Sequence, residues 1–296
     1  MSIRWGVSPI AWANDDMPEL GGDTPLETIL RECQEVGFEG VELGGKFPRE
    51  PNALKAALTP YKLDCVGGWY SGNLLVQDAD AEVTALQDHL KLLKAMGSTV
   101  FVFAEASNAV HSNKAVPLEG APRLKSSDWK QFGERMSQVA DYVQGQGIKF
   151  AYHHHLGTVV ESQADMDAFI AATSPSVGFT LDTGHAALGG VKAIDTIQRH
   201  PERIAHVHCK DVRGAVHEEA RRTGKSFLDG VLAGIFTVPG DGSIDFGAVM
   251  KALKEMDYSG WIIIEAEQNP ALANPKQYAQ LGLATLKREA AAAGLI

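Results

Sequence analysis

Cysteine is scarce in this chain: Cys33, Cys65 and Cys209 are scattered over 296 residues and form no Cys-x-x-Cys pair. An odd, sparse count argues against a disulfide framework and suits free thiols in a reducing compartment. The lack of paired thiolates also argues against a closed structural zinc. Long apolar runs are missing too. No stretch of about 18 apolar residues occurs, so no transmembrane helix and no membrane partner are expected. The opening Met1-Ser2-Ile3-Arg4-Trp5-Gly6-Val7-Ser8 enters a strand-like segment without the apolar core of a signal peptide. The expected location is cytoplasmic. Positive charge is in deficit: 27 Lys and Arg against 37 Asp and Glu give a formal net charge of −10. Nucleic-acid affinity rests on clustered cations facing phosphates, so no nucleic-acid partner is expected, although Arg221 to Lys225 is locally basic. No Pro-rich linker or shift of composition divides the chain, which is read as one domain over 1–296.

What is present is an ordinary globular composition, 45% hydrophobic and 22% charged, in a chain long enough to bury a sizeable core. Eight short β-rich runs recur: Arg4 to Ser8, Gly40 to Leu43, Asp64 to Trp69, Thr99 to Phe103, Lys149 to His154, Gly178 to Asp182, Ala205 to His208 and Trp261 to Glu265. Several are almost continuously apolar, such as Val100-Phe101-Val102-Phe103, as parallel strands buried on both faces require.

Between these runs lie amphipathic stretches. Pro25 to Val36 carries Leu26, Ile29, Leu30 and Cys33 at helical spacing, with Thr24 as N-cap and Gly37 as stop. Helices are also expected over Asn52 to Leu58, Asp80 to Met96, Trp129 to Val143, Met166 to Ala172, Val191 to Arg199, Phe246 to Met256 and Lys276 to Ala291. Eight β-then-α units in series predict a single (β/α)8 TIM barrel, which commonly takes roughly 250 residues, with an open doubly wound sheet as the alternative. The longest segment without periodicity, about 211–243, is expected to be a functional loop at the C-terminal face of the barrel.

The last four strands share one property: each ends in potential metal ligands. The fifth ends in His153-His154-His155, followed by Glu161. The sixth ends in Leu181-Asp182-Thr183-Gly184-His185, the seventh in His206-Val207-His208-Cys209-Lys210-Asp211, and the eighth in Glu265-Ala266-Glu267. Six of the ten histidines belong to these strand ends. Ionisable groups at the end of a buried strand are costly to desolvate unless paired or metal-bound. Residues two apart, as in His206-x-His208 and Glu265-x-Glu267, point to the same side of a strand and can converge in a barrel mouth. Imidazoles mixed with carboxylates suit Mn, Co, Fe, Ni or Zn. Blander readings stand beside this one: Asp182 as the N-cap of a short turn, His153 to His155 as a solvated edge, Lys210 and Asp211 as an ion pair at the rim.

These segments, in this order, resemble the xylose isomerase-like barrels along essentially the whole chain. Within that family the chain resembles the inosose dehydratases, through His153-His154-His155-Leu156-Gly157-Thr158-Val159-Val160-Glu161, Pro239-Gly240-Asp241-Gly242, Glu265-Ala266-Glu267-Gln268, the opening Trp5-Gly6-Val7-Ser8-Pro9-Ile10-Ala11-Trp12, and Gly37-Phe38-Glu39-Gly40-Val41-Glu42-Leu43. The resemblance implies a metal held by a carboxylate from each of the fifth, sixth and eighth strands and a histidine from the seventh. By position these are Asp182, His208 and Glu265. The fifth strand departs from the pattern with its three histidines, and Glu161 is placed ahead of His155 as the missing carboxylate.

The resemblance further implies a cytoplasmic hydro-lyase of myo-inositol catabolism. Its substrate would be a small cyclic polyol ketone, 2-keto-myo-inositol, losing water to give a trihydroxycyclohexane-dione. A divalent ion, manganese or cobalt, is implied, with glutathione as an accessory. His185 leads as acid/base, with Glu267 and Lys210 behind it; the alternative for His185 is a fifth metal ligand or a partner that supports Asp182 from outside the ligand set. His154 and His155 are assigned to substrate hydroxyls, and Trp12 and Trp69 to apolar walls under the ring, with core packing as their alternative. A ketose isomerase or epimerase on the same barrel is the runner-up, and a homo-oligomer is left open.

Overall fold

The computed structural model describes residues 2–296, and Met1 lies outside the described residues. Eight parallel strands close into a barrel: β1 (Ile3–Val7), β2 (Gly40–Leu43), β3 (Asp64–Gly72), β4 (Val100–Glu105), β5 (Lys149–His153), β6 (Gly178–Asp182), β7 (Ile204–Cys209) and β10 (Gly260–Ile264). Pairing of β1 with β10, from Ile3 opposite Gly260 to Val7 opposite Ile264, closes the ring and excludes the open sheet. All eight strands fall where the apolar runs predicted them.

Side chains fill the barrel in layers. The lower interior holds Val66, Val100, Val102, Ala151, Trp261 and Ile263. Trp261 fits there because β1 and β2 offer Gly6 and Gly40: a Cβ on Gly40 would lie 2.6 Å from the indole. Above this plug the inward positions turn polar, with Glu42, His153, Thr180, Asp182, His206 and His208 all buried. The helices pack outside. α1 (Leu26–Val36) buries Ile29, Leu30 and Cys33, and Gly37 ends it in the left-handed region at φ 96°. Its N-cap is Pro25 without a side-chain hydrogen bond, not Thr24.

The stretch expected as one helix from Asp80 to Met96 divides at Leu86 into Ala79–Ala85 and Gln87–Met96. A larger correction concerns 211–243, which is not a loop. Asp211–Val212 and Phe236–Thr237 pair antiparallel as β8 and β9, enclosing helices Gly214–Arg222 and Phe227–Leu232. Their apolar side chains build a separate small core around Met17, Leu156, Val212, Phe227, Val231 and Phe236. Among the described residues no helix is long and apolar enough to cross a membrane.

Candidate active site

The ends of β5, β6, β7 and β10 bring His153, Asp182, His208 and Glu265 together, with one potential ligand atom from each within 4.8 Å of the others. Two ligands of one ion with bonds of about 2.1 Å lie at most about 4.2 Å apart, and the separations of 3.1–3.7 Å among these side chains fall within that limit. Each donor is aimed by a second contact. His153 Nδ1 lies 2.8 Å from the His154 carbonyl, so Nδ1 carries the proton and Nε2 offers its lone pair 3.7 Å from Asp182 Oδ2. His208 Nε2 faces Glu42 Oε1 at 3.1 Å, which leaves Nδ1 turned to Asp182 Oδ2 at 3.7 Å and Glu265 Oε2 at 3.1 Å. Asp182 caps the helix Thr183–Gly189 through Oδ1, which accepts from His185 N at 2.8 Å. The cap uses only Oδ1 and leaves Oδ2 free to face the other members of the cluster.

Asp182 Oδ2 and His208 Nδ1 are both buried without a hydrogen-bond partner. Buried polar atoms are rarely left so, because the desolvation cost is uncompensated, and a cation at this point satisfies both. The donor set fits the divalent ion that the sequence implied.

Glu161 stands apart, contrary to its expected ligand role. It accepts from Gly157 N at 2.7 Å and pairs with Arg123 at 3.3 Å, eight residues beyond the end of β5 at His153. The fifth strand brings His153 to the cluster instead, because its parity on β5 points it inward. Glu42 was missed as a site residue. The signal was an acid in the middle of a buried strand, at the same level as the inward histidines. Burial opposes its charge, but His208 and His206 outweigh burial and hold it down at about 2.

Beside this cluster lies a second group. Lys210, fully buried, sends Nζ to Glu265 Oε1 at 2.6 Å, Glu267 Oε1 at 2.7 Å and His185 Nε2 at 3.0 Å. Burial alone would lower its pKa, yet Glu265, Glu267 and Asp182 together raise it and hold the ammonium. Lys210 does not pair with Asp211 at the rim. Asp211 instead accepts from the backbone N–H groups of Val212, Gly240, Gly242 and Ile244. Gly184 is required by this path, since a Cβ there would lie 2.7 Å from Lys210 Cγ. Glu267 is pushed up to about 7 by burial, against the pull of Lys210, and its Oε2 is buried without a partner. Phe236 covers the Lys210 ammonium at 4.6 Å, and Phe227 packs 5.2 Å from the His155 ring.

A cavity of about 250 Å³ opens over both groups, and His208, Glu265, Glu267, His155 and Trp69 form part of its lining. Trp69 stands against His153 and His155 with ring centroids 5.3 and 5.6 Å away. Two expected substrate residues lie elsewhere. Trp12 is buried in the core with its indole N–H donated to Glu32 at 2.6 Å. His154 alternates to the opposite side of the chain from His153 and His155, fully buried with neither ring nitrogen bonded.

Residues 30–289 match the model of the xylose isomerase-like TIM barrels. The chain belongs to that family. Within it, the chain is 45% identical to the rhizopine catabolism protein MocC of Rhizobium meliloti, across 99% of this chain and 90% of the relative. It is 37% identical to an inosose dehydratase of Clostridium perfringens and 39% identical to one of Lacticaseibacillus casei, in each case across 94% of both chains. Such kinship along its length makes this member of the family an enzyme of the hydro-lyase type. Solved barrels of the same fold include an L-ribulose 3-epimerase, at 17% identity, TM-score 0.68 and coverage of 99% and 96%. A xylose isomerase domain protein from Alicyclobacillus acidocaldarius matches at 20%, 0.70, 99% and 100%.

Proposed function

We propose that the protein is a metal-dependent dehydratase of myo-inositol catabolism, which removes water from 2-keto-myo-inositol to give a trihydroxycyclohexane-1,2-dione. The observation that carries this is the placing of a cation-ready cluster and a buried Lys210–Glu267–His185 group along one cavity. His153, Asp182, His208 and Glu265 hold the ion, manganese or cobalt. When bound, that ion supplies a Lewis acid that acidifies the proton beside the ketone.

The protein's own groups handle that proton. Glu267 reaches the cavity wall, whereas His185 and Lys210 are buried behind it, so Glu267 takes precedence over His185 as acid/base. With an affinity for protons poised near neutrality, it accepts one from the α-carbon. The C–H electron pair forms the new double bond, and the β-hydroxyl leaves with the proton that Glu267 returns, as one water. The enol so formed tautomerises to the dione. Lys210 stabilises Glu267 as a carboxylate before the first transfer and after the second, and His185 positions Lys210. His155 binds a substrate hydroxyl, and Trp69 walls one face of the ring.

The test is product mass from 2-keto-myo-inositol with metal-stripped protein, with and without added Mn or Co. Loss of one water only with metal is the expected result. Bound metal with an unchanged product mass would move the function to a ketose isomerase or epimerase. His208→Ala is expected to abolish metal binding, and unchanged metal content would remove His208 from the ligand set.

A further inference from the structure

Beyond the reacting groups, the cavity has another polar wall. His111, in the segment after β4, and Asp16, in the segment after β1, both line it. Each is held firmly. The His111 ring is buried against His155, with centroids 4.8 Å apart, and against Phe227 at 6.3 Å. Its backbone is anchored next door, where Val110 N donates to Gly157 O at 2.8 Å. Asp16 is fixed by Asn14, whose Oδ1 accepts from both Asp16 N and Met17 N at 2.8 Å, while Met17 is buried.

The two side chains face each other without bonding: His111 Nε2 and Asp16 Oδ1 are 3.9 Å apart. That is too long for a hydrogen bond. It matches two groups sharing one hydroxyl oxygen at about 2.8 Å from each, which subtend roughly 90° at that oxygen. His111 Nδ1 is buried without a partner, so Nε2 is the nitrogen available to the cavity.

We propose that Asp16 and His111 form a hydroxyl slot that reads the ring carbon opposite the ketone. Nε2–H donates to the hydroxyl oxygen, and the hydroxyl donates to the Asp16 carboxylate. The assignment rests on a cyclic polyol ketone as substrate. His155 adjoins both this wall and the metal cluster, its ring centroid 4.8 Å from that of His111 and 5.7 Å from that of His153. A ring gripped at its ketone by the cluster therefore extends its far hydroxyl towards Asp16 and His111. This makes the pair a specificity determinant: it favours a ring hydroxylated all round over one lacking the distal hydroxyl.

The experiment crosses two variants with two ligands. Asp16→Ala removes a carboxylate with no other side-chain partner, and His111→Phe keeps a packed ring while deleting Nε2. On 2-keto-myo-inositol each variant is expected to lose 10- to 100-fold in kcat/KM, mainly through KM. On the analogue without the hydroxyl opposite the ketone, the wild type is expected to lose a similar factor and the variants no more than twofold further. Equal losses by the variants on both ketones would overturn the slot. The same cross is run as equilibrium binding of myo-inositol and the corresponding deoxy-inositol. Coupled binding without water loss would keep the slot and discard the dehydratase. Absence of polyol binding to the wild type overturns the slot as well.

Discussion

Glu42 shows what a single buried charge does here. Its Oε1 lies 2.9 Å from His206 Nε2 and 3.1 Å from His208 Nε2, so one carboxylate sets the orientation of two imidazoles beneath the cluster. Partners of this kind typically change metal affinity 10- to 100-fold. Glu42→Gln is expected to weaken Mn or Co binding by that factor, read by competition with a chelator, while urea unfolding of the metal-free protein changes little by comparison. Glu267→Gln is expected to retain metal and lose kcat by about 10²- to 10⁴-fold, since it deletes only the proton carrier. Away from the site, His89 is half-buried against Phe101 and Tyr70, and its desolvation lowers its pKa to about 4. The unfolded chain takes up this proton near pH 6.5 and the folded chain does not until about pH 4. Its contribution is therefore complete above pH 6.5 and is lost as pH falls towards 4. By pH 5 about 2 kcal/mol has been lost, and His89→Gln should lack that loss when urea unfolding is compared at pH 7 and pH 5. At this scale the convergence of Asp182, His208 and Glu265 was legible in the sequence, because strand parity decides which side chains face inward. It misled at Glu161, since a carboxylate near in sequence was preferred to an inward histidine on the strand itself.

The unit from Asp211 to Ser243 illustrates the element scale. Hydrophobic periodicity missed it because its helices run only nine and six residues, Gly214–Arg222 and Phe227–Leu232, and the first carries few apolar side chains. What orders it is polar and local. Ser226 and Asp229 form a capping box, and Asp211 gathers four backbone N–H groups at 2.8–3.1 Å. Asp211→Ala leaves those donors without their acceptor, and at about 1 kcal/mol each the loss is on the order of 4 kcal/mol. Faster proteolysis within 213–235 than in the wild type is the measurement, and an unchanged cleavage rate would show that the small core holds this unit unaided. Because Phe227 and Phe236 from this unit cover His155, His185 and Lys210, its order also keeps water from those groups.

For the whole molecule, the barrel closes around a cluster of like charges that it stabilises only in part. Asp182 and Glu265 lie together on buried strand ends, with Lys210 as the one fully buried ammonium between them. A divalent ion binding the folded state alone adds about 2.7 kcal/mol when present at a hundred times its dissociation constant. Stripping the metal is expected to lower the melting temperature by a few degrees, and Asp182→Asn should abolish that dependence. The order of eight strands, their buried apolar faces and the crowding of histidines at their ends were determined by sequence alone, because alternation and 3.6-residue periodicity are local properties that the chain carries wherever it folds. Only the tertiary structure decided that His153 and not Glu161 joins the cluster, that Glu42 lies beneath it, and that Asp16 faces His111 across 3.9 Å. Those relations join residues about 95 positions apart or more, or turn on where a strand ends. They exist only after the ring of strands has closed.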